Sequence, residues 1–148
     1  IYSSDLERAL HTARIVAAPH GLTPRLAAAL RERNVGLFSG FTGAEVQAHF
    51  ADTLAHRHRD GVLDWAPPQG ESFRQMLARI QPAVQEIAVQ WADRTVLIVT
   101  HGGVVRLLVA HALGDDWAHV YQHHPSNCGL SEFHWSPDGA FSLERFDE

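Results

Sequence analysis

An α/β sandwich is the fold class this sequence predicts: three α/β/α layers built on a mostly parallel central sheet, with a C-terminal hairpin at the sheet edge. Three observations predict it. Val96 to Val99 is a short, continuously apolar run rich in β-branched residues, as expected of a strand buried on both faces. Strand-like segments alternate with amphipathic helical ones along most of the chain. Near the C-terminus, residues 130–135 and 140–146 alternate apolar and polar side chains around Pro137-Asp138-Gly139, the pattern of a hairpin.

Taken in order, Tyr2-Ser3-Ser4 begins as a strand. Asp5 is the expected N-cap of a helix whose inner face is Leu6, Ala9, Leu10, Ala13 and Val16, and Pro19 and Gly21 stop it. Residues 22–30 form a short connection with room for a strand. Residues 30–40 mix charges with Gly36 and Gly40, which suits a functional loop better than a core element. Thr42 and Glu45 make a capping box that opens a helix through Val46 and Phe50. Residues 51–69, rich in His, Arg and Asp, are expected to be irregular and to form a lid.

Ser72 and Gln75 make a second capping box. Phe73, Met76, Leu77, Ile80, Val84, Ile87, Ala88 and Trp91 follow at helical spacing, so this stripe is core, and Pro82 should kink it. Asp93-Arg94 is a turn into the apolar strand. Val104 to Leu113 is a mostly apolar helix ending at Gly114, and residues 115–124 are expected to be helical.

Composition narrows the function classes. The 148 residues suffice for one domain, 1–148, with a real core. A hydrophobic content of 45% excludes a disordered tail, and no apolar run is long enough to span a bilayer, so no membrane partner is expected. A net charge of −5 argues against a nucleic-acid partner. Cys128 is the only cysteine, which rules out an intrachain disulfide and suits a reducing, cytoplasmic compartment. The His56/His58 and His123/His124 pairs lack the carboxylate or cysteine companions of a metal site; no metal and no cofactor are expected.

The chemistry concentrates at Thr100-His101-Gly102-Gly103, between the apolar strand and the apolar helix. A chain that ends a strand, turns on glycines and enters a helix directs unpaired N–H groups at the space above the sheet, and that space favours anions. Taken alone, the junction is equally compatible with an ordinary tight turn. Arg8, in the first turn of the first helix, reads by itself as a solvated arginine paired to Asp5 or Glu7.

Further motifs give the junction a context. The segment from Tyr2 to Ala13 resembles an S-x-L-x-R-A-x-x-T-A motif. Leu30-Arg31-Glu32 with Gly36 and Gly40 is similar to an L-x-E-x-x-x-G-x-x-x-G loop. Gly70-Glu71-Ser72 resembles a G-E-S helix start, and Val99 to Gly103 a histidine-bearing strand end. In this order they resemble the histidine phosphatase superfamily, also called phosphoglycerate mutase-like. One departure stands out: the Arg-His-Gly strand that carries that family's phosphorylated histidine does not occur in these residues. That strand lies at the centre of the family's sheet, so the 148 residues are expected to be an incomplete record of a longer chain, lacking the first strand and the nucleophile.

The resemblance implies a phosphomonoesterase that works through a phosphohistidine on a small phosphorylated metabolite, of sugar-phosphate or α-ribazole phosphate type. Phosphate binding would fall to Arg8, His101 and the Gly102 amide, and catalysis to His101 and to Glu32 as general acid and then base. That role demands a protonated Glu32 carboxyl near neutral pH. The partner implied is a small-molecule phosphate ester, and a homodimer is compatible with the family. The alternatives are phosphoglycerate mutase-type transfer, disfavoured by the short stretch between Gly40 and Gly70, and a non-catalytic phosphate- or phosphoprotein-binding module. A nucleotide-binding loop is weaker still, since no GxGxxG or GxxxxGK[ST] occurs.

Overall fold

Three short parallel strands form the central sheet in the order β2-β1-β3, with β1 spanning Tyr2–Ser3, β2 Arg25–Leu26 and β3 Ile98–Val99. The computed structural model describes residues 1–115, 117–136 and 139–148, and only the backbone of 57–60 and 117–118. The Pro137-Asp138 turn and the side chains of Arg57, His58 and Trp117 lie outside the described residues. Tyr2 pairs with Arg25 on one side and Ile98 on the other; Ser3 pairs with Leu26 and Val99. β1 is therefore the central strand, and β3 is paired on one side among the described residues.

Helix α1 (Glu7–Ala17) packs on β1 and β3 through Ala9, Leu10, Ala13 and Ala17. Val16, expected on that face, is exposed, and Ala17 takes the inner position. Asp5 does not cap the helix. Leu6 occupies the N-cap with no side-chain bond, while the Asp5 carboxylate is held by Arg31 at 2.7 and 2.5 Å. The principal core is formed by Tyr2, Leu30, α4 (Phe73–Gln90) and α5 (Gly102–Leu113), with Met76, Ile80, Val104 and Leu107 fully buried. Successive strand residues face opposite ways, so Tyr2 in this core and Ser3 beyond it put helices on both faces of the sheet.

Both capping boxes form, Thr42 with Glu45 and Ser72 with Gln75. Gly21 and Gly114 end their helical segments in the left-handed conformation, as the sequence predicts. Residues 51–60 differ from expectation: α3 (Ala51–Asp60) is a helix, separated from α2 (Gly43–His49) only by a break at Phe50. Phe50 turns inward there, its ring 4.9 Å from Phe38 and 5.6 Å from Phe41, and this aromatic anchor is local packing that polar composition does not signal. Residues 117–122 wind as a 3₁₀ helix.

The strand expected over 96–99 is shorter, and Ile98 and Val99 are half-buried. Among the described residues β3 is hydrogen-bonded on one flank only, by β1. The hairpin forms as β4 (Glu132–Trp135) and β5 (Phe141–Arg145), but as a separate two-stranded sheet, with α5 packed against β5.

Candidate active site

The site lies where β1 and β3 end and α5 begins. His101 is the N-cap residue of α5, extended at φ −125° and ψ 157° and buried. Its Nε2 lies 2.8 Å from Ser4 Oγ at the end of β1. Parallel pairing of β1 with β3 brings two residues far apart in sequence into one hydrogen bond.

Glu32 reaches the same helix start from the loop after Leu30. Its Oε2 accepts the Gly103 N–H at 3.0 Å, and its Oε1 accepts the Arg33 N–H at 2.8 Å. A carboxylate at a helix N-terminus meets both an orphan donor and the positive end of the dipole. The approach requires glycine: a Cβ on Gly103 would overlap Glu32 Oε1 and lie 3.0 Å from its Cδ. Gly103→Ala should therefore expel the Glu32 carboxylate. The added helix propensity, up to ~1 kcal/mol, offsets the lost hydrogen bond, so the thermal midpoint should barely move. Turnover should still fall about tenfold or more, because a misplaced acid loses orientation. Unchanged kcat in a normally folded Gly103→Ala protein would show that Glu32 need not sit there.

The Glu32 loop is fastened from behind. Arg79 on α4 donates to the Ala29 carbonyl at 2.5 Å and to the Glu32 carbonyl at 3.2 Å. The same guanidinium forks onto Glu71 at 3.0 and 2.6 Å. Burial alone would push the Glu71 carboxyl up, but Arg79, the Asn34 amide and Arg33 hold it below its ordinary value. Thr100 Oγ1 adds a bond to the Leu30 carbonyl at 2.8 Å, tying the end of β3 to the start of the loop. Gly36, at φ +55°, lies against residues 68–70, where a Cβ would overlap the Pro68 carbonyl. The second motif's first glycine thus serves backbone packing beside the site.

Arg8 is exposed in the first turn of α1. The two acids that could have neutralised it are taken: Asp5 by Arg31, and Glu7 by Arg14 at 3.5 Å. Among the described residues its guanidinium has no hydrogen bond or ion pair. It is nevertheless close enough to His101 to act on it. Burial first, then Arg8 and more weakly Arg79, push the imidazole below its ordinary value, outweighing the opposite pull of Glu32 and Asp5. The Gly102 N–H, at the first position of α5, meets no acceptor among the described residues, and the Pro125 ring lies beside Gly102.

The His101 shift has a consequence for stability. The unfolded chain protonates this histidine near pH 6.5, whereas the folded chain resists until lower pH. The unfolded state then binds more protons, so folding stability falls as pH drops below about 6.5. His101→Gln should flatten that part of the pH dependence in urea unfolding. An unchanged slope in the variant would place the acid sensitivity elsewhere.

The structure brings together Glu32, His101 and the start of α5, with Arg8 acting on His101 from α1. Sequence reasoning passed over Ser4, Gly103, Thr100 and Arg79. The first three lie inside motifs already singled out, where strand end and paired glycine were the only signals. Arg79 carries no local signal, being one arginine on an amphipathic helix.

Comparison with known proteins gives the family and the fold. The sequence profile of the histidine phosphatase superfamily (branch 1) matches residues 1–148. The glucosyl-3-phosphoglycerate phosphatase of Mycobacterium tuberculosis is 31% identical over 157 aligned positions, covering 99% of this chain and 70% of that protein. A 2,3-bisphosphoglycerate-dependent phosphoglycerate mutase of Azorhizobium caulinodans is 40% identical over 114 positions, covering 73% of this chain and 54% of its own. Among solved structures, the mycobacterial glucosyl-3-phosphoglycerate phosphatase in complex with inorganic phosphate superposes on 100% of this chain and 76% of its own. The TM-score is 0.81 and the identity 31%.

Proposed function

The chain belongs to the histidine phosphatase superfamily (branch 1), and from that premise we propose a phosphomonoesterase that acts through a phosphohistidine on a small sugar-phosphate type metabolite. The observation that carries this reading is the arrangement at the start of α5: buried His101, Glu32 held on the Gly103 amide, and Arg8 without a protein partner among the described residues.

In this reading Arg8 grips two phosphoryl oxygens with its planar fork, a bidentate contact lysine cannot reproduce. His101 donates to a third oxygen, and the Gly102 N–H adds a donor where charge builds in the transition state. Attack comes from a histidine on an Arg-His-Gly strand that these 148 residues do not contain. The one-sided pairing of β3 and the separate β4-β5 sheet support placing that strand beside β3, within domain 1–148 as extended. Phosphorus passes from the ester oxygen to the histidine nitrogen while Glu32 gives its proton to the departing alkoxide. Glu32 then takes a proton from water, which attacks the phosphohistidine and releases phosphate. Mycobacterial relatives carry a name that includes glucosyl-3-phosphoglycerate, which makes a glycosylated phosphoglycerate a substrate to test first.

The test is turnover of a panel of sugar phosphates, glucosyl-3-phosphoglycerate and α-ribazole phosphate by protein from the full reading frame, with Arg8→Ala and His101→Gln as controls. Hydrolysis with an acid-labile phosphoenzyme is expected. The 148 residues alone should not turn over p-nitrophenyl phosphate, and robust turnover by them would overturn the assignment of the nucleophile.

A further inference from the structure

Among the described residues His101 makes one ring hydrogen bond, and it goes to a serine outside the phosphate-binding set. Ser4 is fully buried at the end of β1, with its Oγ 2.8 Å from His101 Nε2. The same Oγ accepts the Leu6 N–H at 3.3 Å. An amide can only donate, so that bond uses an acceptor lone pair of the hydroxyl and leaves its proton available for Nε2. Nδ1 has no partner among the described residues, yet no fully buried side-chain nitrogen or oxygen there is unpaired. Nδ1 therefore reaches solvent-accessible space.

We propose that Ser4 is a positioning residue for phosphoryl transfer: its hydroxyl donates to Nε2, fixes His101 as the Nδ1–H tautomer, and so presents Nδ1–H to the phosphoryl oxygen. This rests on the phosphatase reading above. The opposite tautomer would direct two N–H groups, from Leu6 and from His101, at one oxygen. The serine proton would then be stranded in a buried place with no acceptor among the described residues. With Nδ1–H, Nε2, the Ser4 hydroxyl and the Leu6 N–H are all paired, and Nδ1–H is left facing accessible space. Burial and the nearby Arg8 and Arg79 keep the ring neutral near pH 7 against Glu32 and Asp5, so it has a tautomer to hold.

Long-range proton–nitrogen correlation on protein with ¹⁵N-labelled histidine, from the full reading frame, reads this directly. His101 is identified by the signal lost in His101→Gln. Wild type should show a bare Nε2 and a protonated Nδ1, and inorganic phosphate or vanadate should move the Nδ1 signal. Ser4→Ala should shift the ring toward the Nε2–H form and lower kcat about 10- to 100-fold with little change in KM, since Arg8 is untouched. Ser4→Thr, which keeps a hydroxyl, should restore the wild-type tautomer. An Nε2–H ring in wild type, or Ser4→Ala with unchanged kcat, overturns the role of Ser4 and leaves the phosphatase reading standing. A His101 signal indifferent to phosphate and vanadate overturns both. The wild-type spectrum assigns the tautomer even if a variant fails to fold.

Discussion

Glu32→Gln, in protein from the full reading frame, should lower kcat by about 10²–10⁴-fold for esters with poor alkoxide leaving groups, the range of a general acid. For p-nitrophenyl phosphate the loss should be far smaller in single-turnover phosphorylation, because that leaving group needs little protonation. The competing role for Glu32 is a structural salt bridge with Arg31, Arg33 or Arg8. None of these forms among the described residues: Arg31 holds Asp5, and Arg33 donates to the Glu71 and Trp65 carbonyls. An exposed salt bridge would in any case be worth at most ~1 kcal/mol and would leave the rate intact. Equal slowing of both substrates, or of neither, would remove Glu32 from the role of acid.

The second large effect is expected on stability. Arg79→Met leaves the Glu71 carboxylate without its fork and the carbonyls of Ala29 and Glu32 without donors. Breaking a buried pair from one side costs about 3–5 kcal/mol. Side-chain exposures of 25% for Arg79 and 18% for Glu71 place the expected loss near the lower bound, about 3 kcal/mol. Urea unfolding at neutral pH measures it. Glu71→Gln in the Arg79→Met background should recover part of the loss by removing the stranded charge. A loss under about 1 kcal/mol would mean that the pair behaves as a surface bridge, not as the fastening of the Glu32 loop.

Much of this was legible in the sequence because it is local. Two capping boxes, the αL glycines after α1 and α5, the core stripe of α4 and the hairpin pattern all depend on residues within a turn or two of each other. Those short-range preferences survive wherever the segment is placed. Where short-range signals competed, the readings failed. Asp5 has the chemistry of an N-cap, but the more distant Arg31 claimed its carboxylate. Residues 51–60 look like loop by composition, yet Phe50, Phe38 and Phe41 pack together and carry the helix.

By itself, the sequence determined that a histidine and two glycines stand between an apolar strand and an apolar helix, and that Arg8 and Glu32 lie in motifs that travel with such a junction. Only the tertiary structure decided what each of them touches. Parallel pairing of β1 with β3 sets Ser4 against His101, and the return of the 30–34 loop sets Glu32 on the Gly103 amide. Arg79 reaches across from α4 to hold that loop, while Arg31 and Arg14 occupy the acids nearest Arg8. Apart from the Arg14–Glu7 pair within α1, these are contacts between segments tens of residues apart, each set by which side chains the packed layers bring within hydrogen-bonding distance, and no pattern along the chain encodes that choice.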